Sequence, residues 1–172
     1  MKILRELYLA DEKVSYLREY LFGSNGTEPI TTQQIEDYYQ KNYVRMKQIC
    51  VFINQRPKQN EDGTYVTDSS GKTQYTTMTA DENAAARTKI EEALAKIDGG
   101  EDFEKALSEY DENKADDGYK NGIYMSAESS FGNDEDLQKI YETLCEMKVG
   151  EVRELELSNS LHIIKKYELD TG

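Results

Sequence analysis

The chain of 172 residues has a single histidine, His162, and two cysteines, Cys50 and Cys145. There is no Cys-x-x-Cys pair and no Cys/His cluster, so no zinc-ligand pattern is present. The two cysteines read either as buried free thiols or, outside a reducing compartment, as one disulfide. No apolar run approaches the roughly 18 residues that mark a membrane span. The opening "MKILRELYLADEKV" is charged throughout and lacks the apolar core of a secretion signal. Glycine patterns of the GxGxxG or P-loop kind are absent. A lone histidine without a matching Ser or Cys motif gives little support to a hydrolase. Cations are also short: 21 Lys and Arg stand against 34 Asp and Glu, a net charge of -13. Phosphate backbones and acidic membrane surfaces would be repelled, which sets nucleic acid aside as a partner.

The apolar pattern divides the chain. Ile3, Leu7, Ala10, Val14, Leu17 and Leu21 recur at helical spacing, so residues 1–22 read as an amphipathic helix whose stripe must pack on this chain or on a partner. "FGSNGTEP" is a turn-rich linker. Thr31 followed by Gln34 is a capping-box pattern that opens a helix ending near Asn42. "VRMKQICVFIN" alternates, with Met46, Gln48, Cys50 and Phe52 on one face and Lys47, Ile49, Val51 and Ile53 on the other. Apolar residues on both faces predict a central strand. A polar stretch follows, with turn signals at Asp62-Gly63 and Ser70-Gly71, read as a β-hairpin insertion around residues 64–77. Thr79 and Glu82 form a second capping box. The helix it opens buries Ala86, Ile90, Ala93, Leu94 and Ile97 and stops at Gly99-Gly100. A shorter helix carries Phe103, Ala106, Leu107 and Tyr110. "GIYMS" is a short strand. A third helix begins on an acidic turn, which suits the helix dipole, and runs to Gly150. "EVRELELS" and "SLHIIKKYEL" are strands joined by a tight turn, hence antiparallel. The expected fold class is α+β, an antiparallel four-stranded sheet flanked by helices over residues 43–169, preceded by an N-terminal helical segment, 1–42.

Three phrases, in order, resemble the parvulin family of peptidyl-prolyl cis/trans isomerases. They are "KIEEALAKIDGGEDFEKALSEYDEN", similar to the family's helix–GxEDF–helix segment; "NGIYMS", similar to its glycine-led strand; and "LCEMKVGEVRELELSNSLHIIKKYE", similar to its closing strand pair. The lead-in "EPITTQQIEDYYQKNY" is similar to the connector before that domain in PrsA-type extracytoplasmic foldases. The chain departs from the pattern in two places. Gln48, in "QIC", stands where the family has a second histidine, and "YKNGIYM" replaces a glycine-rich phrase.

The resemblance implies a parvulin-like fold with catalytic residues His162, Gln48 and Asp111, the last standing with Glu112 near the family's acid or cysteine. It implies a pocket for proline built from Tyr124, Met125, Leu137, Ile140 and Asn159. No cofactor and no metal are implied. The partners it implies are unfolded or proline-containing polypeptides, and the location is extracytoplasmic. Arg56 and Lys58 are the only cations in their loop and lie amid acids, so the expected ligands are unphosphorylated Xaa-Pro segments. Two other readings stand beside the isomerase: a catalytically weak or inactive parvulin-like chaperone that holds unfolded clients, and an assembly module that forms a homodimer through the N-terminal helix.

Overall fold

The computed structural model of the chain describes residues 13–23, 25–113, 121–129 and 131–170. The chain divides into two compact units at the Asn42–Tyr43 bond.

In the first unit, residues 13–22 form helix α1 and Thr32–Asn42 forms α2. The capping box at the start of α2 is in place: the Gln34 N–H donates to Thr31 Oγ1 at 3.1 Å, and the Thr31 N–H donates to Gln34 Oε1 at 2.9 Å. Two of the orphan donors at this helix end are thus satisfied. α2 buries no residue. Val14, Leu17, Ile35 and Tyr38 are all exposed. The first half of the expected apolar stripe, Ile3 to Ala10, lies outside the described residues.

The second unit is an α+β domain. Its strands are β1 (Tyr43–Phe52), β2 (Gln55–Pro57), β3 (Tyr75–Thr77), β4 (Ile123–Ser126), β5 (Val152–Glu156) and β6 (Ser160–Tyr167). Its helices are α3 (Ala80–Asp98), α4 (Phe103–Tyr110) and α5 (Glu135–Glu146). Four strands form one antiparallel sheet in the order β4-β1-β6-β5. Alternation along β1 sorts the core into two layers. Ile49, Val51 and Ile53 pack with Leu161 and Ile163 under α3 and α4. Met46, Met125 and Ile164 pack with Ile140 and Leu144 of α5 on the opposite face. The central strands are β1 and β6, which explains why both their faces are apolar.

Local chemistry accounts for the helix ends. Thr79 and Glu82 form a complete capping box at the start of α3. Asp102 and Asp134 cap α4 and α5 by accepting the Lys105 and Leu137 N–H groups. α5 stops at Glu146, before the expected Gly150. Met147 leaves the helix in an extended conformation with its side chain buried, and Lys166 donates its ammonium to the Leu144 and Met147 carbonyls at 2.8 and 2.9 Å. A cation from β6 thus caps the helix one turn early.

The polar stretch after β1 is more than a hairpin. β2 pairs with β3, and bridges join Gln59 to Tyr65 and Thr67 to Thr73. At its middle the Lys58 N–H donates to the Gln74 carbonyl, the Gln74 N–H to the Val66 carbonyl, and the Val66 N–H to the Lys58 carbonyl, at 2.9, 2.8 and 2.9 Å. These three bonds close a ring, so the arm 55–77 is a small folded piece rather than a loose loop. Gly63 and Gly71 sit at its two tips with φ of 84° and 81°, where a side chain would be strained.

Candidate functional site

His162 is the third residue of β6, directly opposite Cys50 of β1 and Leu155 of β5. Side chains of opposed residues share a face, so His162, Cys50 and Gln48 all point to the α5 side of the sheet. The imidazole is buried, with 5% of its surface exposed. Its Nδ1 is 3.0 Å from Gln48 Oε1 and its Nε2 is 2.8 Å from Ser160 Oγ. An amide oxygen can only accept, so Nδ1 carries the hydrogen. A neutral ring then accepts at Nε2 from the Ser160 hydroxyl. Ser160 also works to lower the pKa of the Cys50 thiol, against the larger effect of burial. The bonds the ring makes run in one direction, Ser160 to His162 to Gln48, with Cys50 on the same face.

Burial pulls the His162 pKa down to about 4, and the nearby Asp136 carboxylate opposes that shift only in part. Burial pushes the Cys50 thiol up to about 12, with Asp111 and Glu112 adding to the effect. At neutral pH the ring is therefore uncharged and the thiol protonated. Neither a thiolate nucleophile nor an imidazolium acid is available.

Asp111 sits at the point where β4 no longer pairs with β1. Its Oδ1 accepts the Cys50 N–H at 2.8 Å. The neighbouring Glu112 donates its N–H to the Cys50 carbonyl at 2.9 Å, accepts the Phe52 N–H at 3.0 Å, and pairs with Lys89 at 2.8 Å. Two side-chain carboxylates and one backbone group thus stand in for a missing strand. They hold the end of β1 that carries Cys50.

The pocket residues expected from sequence are divided by the sheet. Met125 and Ile140 lie on the His162 face as buried core. Leu137 is 41% exposed on the first turn of α5. Asn159 sits in the β5–β6 turn, where its carbonyl accepts the Ile53 N–H at 2.9 Å. Tyr124 is placed elsewhere. It is opposite Arg45, whose row faces α4, so Tyr124 lies on the far side of the sheet from His162. There it stacks under the Arg45 guanidinium at 5.5 Å and bonds Asp170 through its hydroxyl. The expectation of Tyr124 as a pocket wall is corrected accordingly.

Glu112, named beside Asp111 from the sequence, joins the cluster, as do Ser160 and Asp136, to which the sequence reading gave no role. Asp136 accepts the Ser158 N–H and, at 3.0 Å, the Ser158 hydroxyl, tying the start of α5 to the turn before His162. The two cysteines differ: Cys50 is buried and Cys145 exposed, both as free thiols, which corrects the reading of two buried ones. Among the described residues no group of three or more His, Cys, Asp or Glu side chains could hold a metal ion, and no helix is long and apolar enough to cross a membrane.

No family model, curated protein or solved structure matches this chain. What the site can do must therefore be read from its chemistry. It offers a buried neutral ring with its hydrogen bonds satisfied, a protonated thiol and a serine, beside the apolar residues Met46, Met125 and Ile164. Such a site can orient and desolvate an uncharged group. Its ring has both nitrogens engaged and its thiol stays protonated, so neither stands ready to abstract a proton.

Proposed function

We propose that the protein is a parvulin-like foldase, a peptidyl-prolyl cis/trans isomerase that takes unphosphorylated Xaa-Pro segments and works outside the cytoplasm. The observation that carries the reading is the hydrogen-bonded Ser160–His162–Gln48 chain across the two central strands of an antiparallel sheet, opposite Cys50 and with α5 on the same face. Two sequence resemblances accompany it: the order of elements from β1 to β6, and the "SLHII" phrase that places His162.

The chemistry is compatible. Rotation about an Xaa-Pro bond is opposed by amide resonance, a barrier of roughly 18–20 kcal/mol for an ordinary peptide bond. No bond to carbon forms or breaks, so no nucleophile is needed. A catalyst must grip the ring and favour the twisted amide, in which nitrogen and carbonyl are decoupled. A neutral, fixed network beside apolar walls can do both without moving a proton. Gln48 both donates and accepts, so it keeps the network closed where a second histidine would stand.

The test is an NMR titration of the full chain with unphosphorylated Xaa-Pro tetrapeptides. Cis/trans exchange faster than the uncatalysed rate, with shifts at His162 and Gln48, is the expected outcome. Binding without exchange would replace the isomerase by a proline-reading chaperone, the reading that Gln48 favours. The absence of any shift near His162 would overturn both.

A further inference from the structure

Two Asn-Gly pairs occur in the chain, Asn25-Gly26 and Asn121-Gly122. An asparagine followed by glycine is chemically labile. The backbone nitrogen of the glycine, once it has lost its proton, attacks the asparagine side-chain amide, and no Cβ obstructs the approach. Both asparagines are exposed to water. The fold treats the two backbone nitrogens differently.

The Gly26 N–H donates to the Gly23 carbonyl at 2.8 Å, which holds the proton that would have to leave. Among the described residues nothing accepts the Gly122 N–H. The carbonyl of the same peptide unit is engaged instead: Arg45 donates its Nε–H to the Asn121 oxygen at 2.6 Å. Loss of the amide proton puts negative charge on that oxygen, so a guanidinium already in place favours the anion. Arg45 is itself held. Its side chain is only 14% exposed, pairs with Asp170 and donates to the Glu168 carbonyl at 3.2 Å.

We propose that Asn121 is a site of self-modification in the folded protein, converted through a cyclic imide to isoaspartate, with Arg45 assisting both steps. In the first step hydroxide takes the Gly122 proton and the nitrogen bonds to Asn121 Cγ. The Cγ–Nδ2 bond then breaks, and ammonia leaves with a proton returned by water. In the second step water adds to an imide carbonyl and the ring C–N bond opens. Arg45 polarises the α-carbonyl, whose oxygen is the former Asn121 peptide oxygen, so water enters there. The α-carbon then carries a free carboxylate paired with Arg45, and the backbone runs through Cβ and Cγ. That longer link lies just before β4. Gly122 leaves no slack for it, since a Cβ there would meet the Met46 carbonyl at 2.7 Å. The pairing of Met46 with Ile123 is therefore what the modification loosens. The inference stands apart from the isomerase reading, because Arg45 lies on the α4 side of the sheet, away from His162.

The experiment incubates the full chain at mildly alkaline pH, folded and in guanidinium chloride. It follows Asn25 and Asn121 by peptide mass spectrometry, with enzymatic methylation to mark isoaspartate. The denaturant exposes both pairs alike and gives each its own reference rate. Folding should slow Asn25 about fivefold, the effect of one backbone hydrogen bond. Asn121 should convert in the folded chain at least as fast as in denaturant, with isoaspartate as the main product. Arg45→Lys keeps the charge and withdraws the Nε–H, so it should slow folded Asn121 about tenfold and leave the denatured rate unchanged. The Ile123 and Met125 amide resonances should shift as isoaspartate accumulates, and stay in place in Asn121→Gln. A folded Asn121 slowed as much as Asn25, aspartate as the main product, or Arg45→Lys reacting at the wild-type rate would overturn the inference. Unshifted β4 amides in the modified chain would overturn its effect on the strand. Should Arg45→Lys fail to fold, the folded-to-denatured ratio of the wild type still decides.

Discussion

His162 should stay uncharged well below the usual imidazole range, and because it is the only histidine its titration can be watched alone. Its folded pKa is about 4 against an ordinary value of 6.5, with burial as the cause. The sign follows from proton counting. Between those two values the unfolded chain binds a proton at this ring and the folded chain does not, so stability rises with pH across the window. It is fully present above about pH 6.5, falls as the pH drops toward 4, and is flat in this respect below that. That difference between the two states corresponds to about 3 kcal/mol, a large part of the stability of a small domain. The assay is a proton–carbon correlation spectrum of the single imidazole followed from pH 8 to pH 3.5. Its chemical shifts should stay those of the neutral ring down to pH 5. In parallel, urea unfolding of the wild type and of His162→Gln over the same range isolates the contribution, because the shared carboxylates cancel in the difference. That difference should change by about 1.4 kcal/mol per pH unit near pH 5. A midpoint near 6.5 in the folded protein, or a difference independent of pH, would refute the account of a buried, desolvated ring.

Gln48→Leu should leave the Nδ1–H without its acceptor, costing about 1–3 kcal/mol in urea unfolding and lowering exchange on any peptide the wild type turns over; unchanged stability would mean the 3.0 Å contact carries nothing. A thiol reagent should label Cys145 at once and Cys50 only at the rate of unfolding, since the second is buried and held protonated; two equally fast phases would count against the cluster. Ile163→Ala, at a fully buried position under α3 and α4, should cost about 2–5 kcal/mol in urea unfolding, and an unchanged midpoint would count against the packing of that face. Light scattering of the chain with and without residues 1–28 should report a dimer only if the exposed Val14 and Leu17 meet a second copy; a monomer in both cases would remove the assembly reading.

The parts of the fold that follow from local rules were legible. Alternation in "MKQICVFI" placed β1 at the centre of a sheet with its two faces correctly divided, because each face must be buried. Thr31 with Gln34 and Thr79 with Glu82 signalled the starts of α2 and α3 through the bonds that now satisfy their first turns. Properties set by distant contacts were not legible. β4 is four residues long, too short for alternation to show which side is inward. Its facing is decided by pairing with β1 just after Gly122, where φ is 94° and any Cβ would meet the Met46 carbonyl at 2.7 Å. That pairing sends Tyr124 away from His162. The early end of α5 depends on Lys166, which is twenty residues downstream of Glu146 and gives no local sign of its role. Ser160 was legible as a small residue before His162, but its bond to the ring is a side-chain contact that the strand pattern alone does not announce. Asp111 was singled out only through the resemblance, and nothing local in the sequence gives it a backbone partner. Only the gap left by β4 makes its carboxylate an acceptor for the Cys50 N–H.

The arrangement makes physical sense when the demands of the proposed reaction are set beside it. Proton transfer calls for a group whose pKa lies near the working pH, and both titratable members of the cluster have been moved away from it, His162 down and Cys50 up. That would disable a hydrolase. For rotation about an amide it is an advantage, since the surroundings of the twisting bond stay fixed and uncharged throughout and no reorganisation accompanies the change. The same logic bears on Gln48. A histidine there could take up a proton as the pH fell and turn its ring away from His162, whereas an amide keeps its hydrogen bond at every pH at which the domain is folded. On this account, exchange catalysed by the wild type should be nearly constant from pH 5.5 to pH 8, and Gln48→His should introduce a loss of activity on the acid side near the ordinary histidine value of about 6.5. An acid limb already present in the wild type at that pH would show that the rate depends on a titrating group other than Cys50 and the Ser160–His162–Gln48 chain.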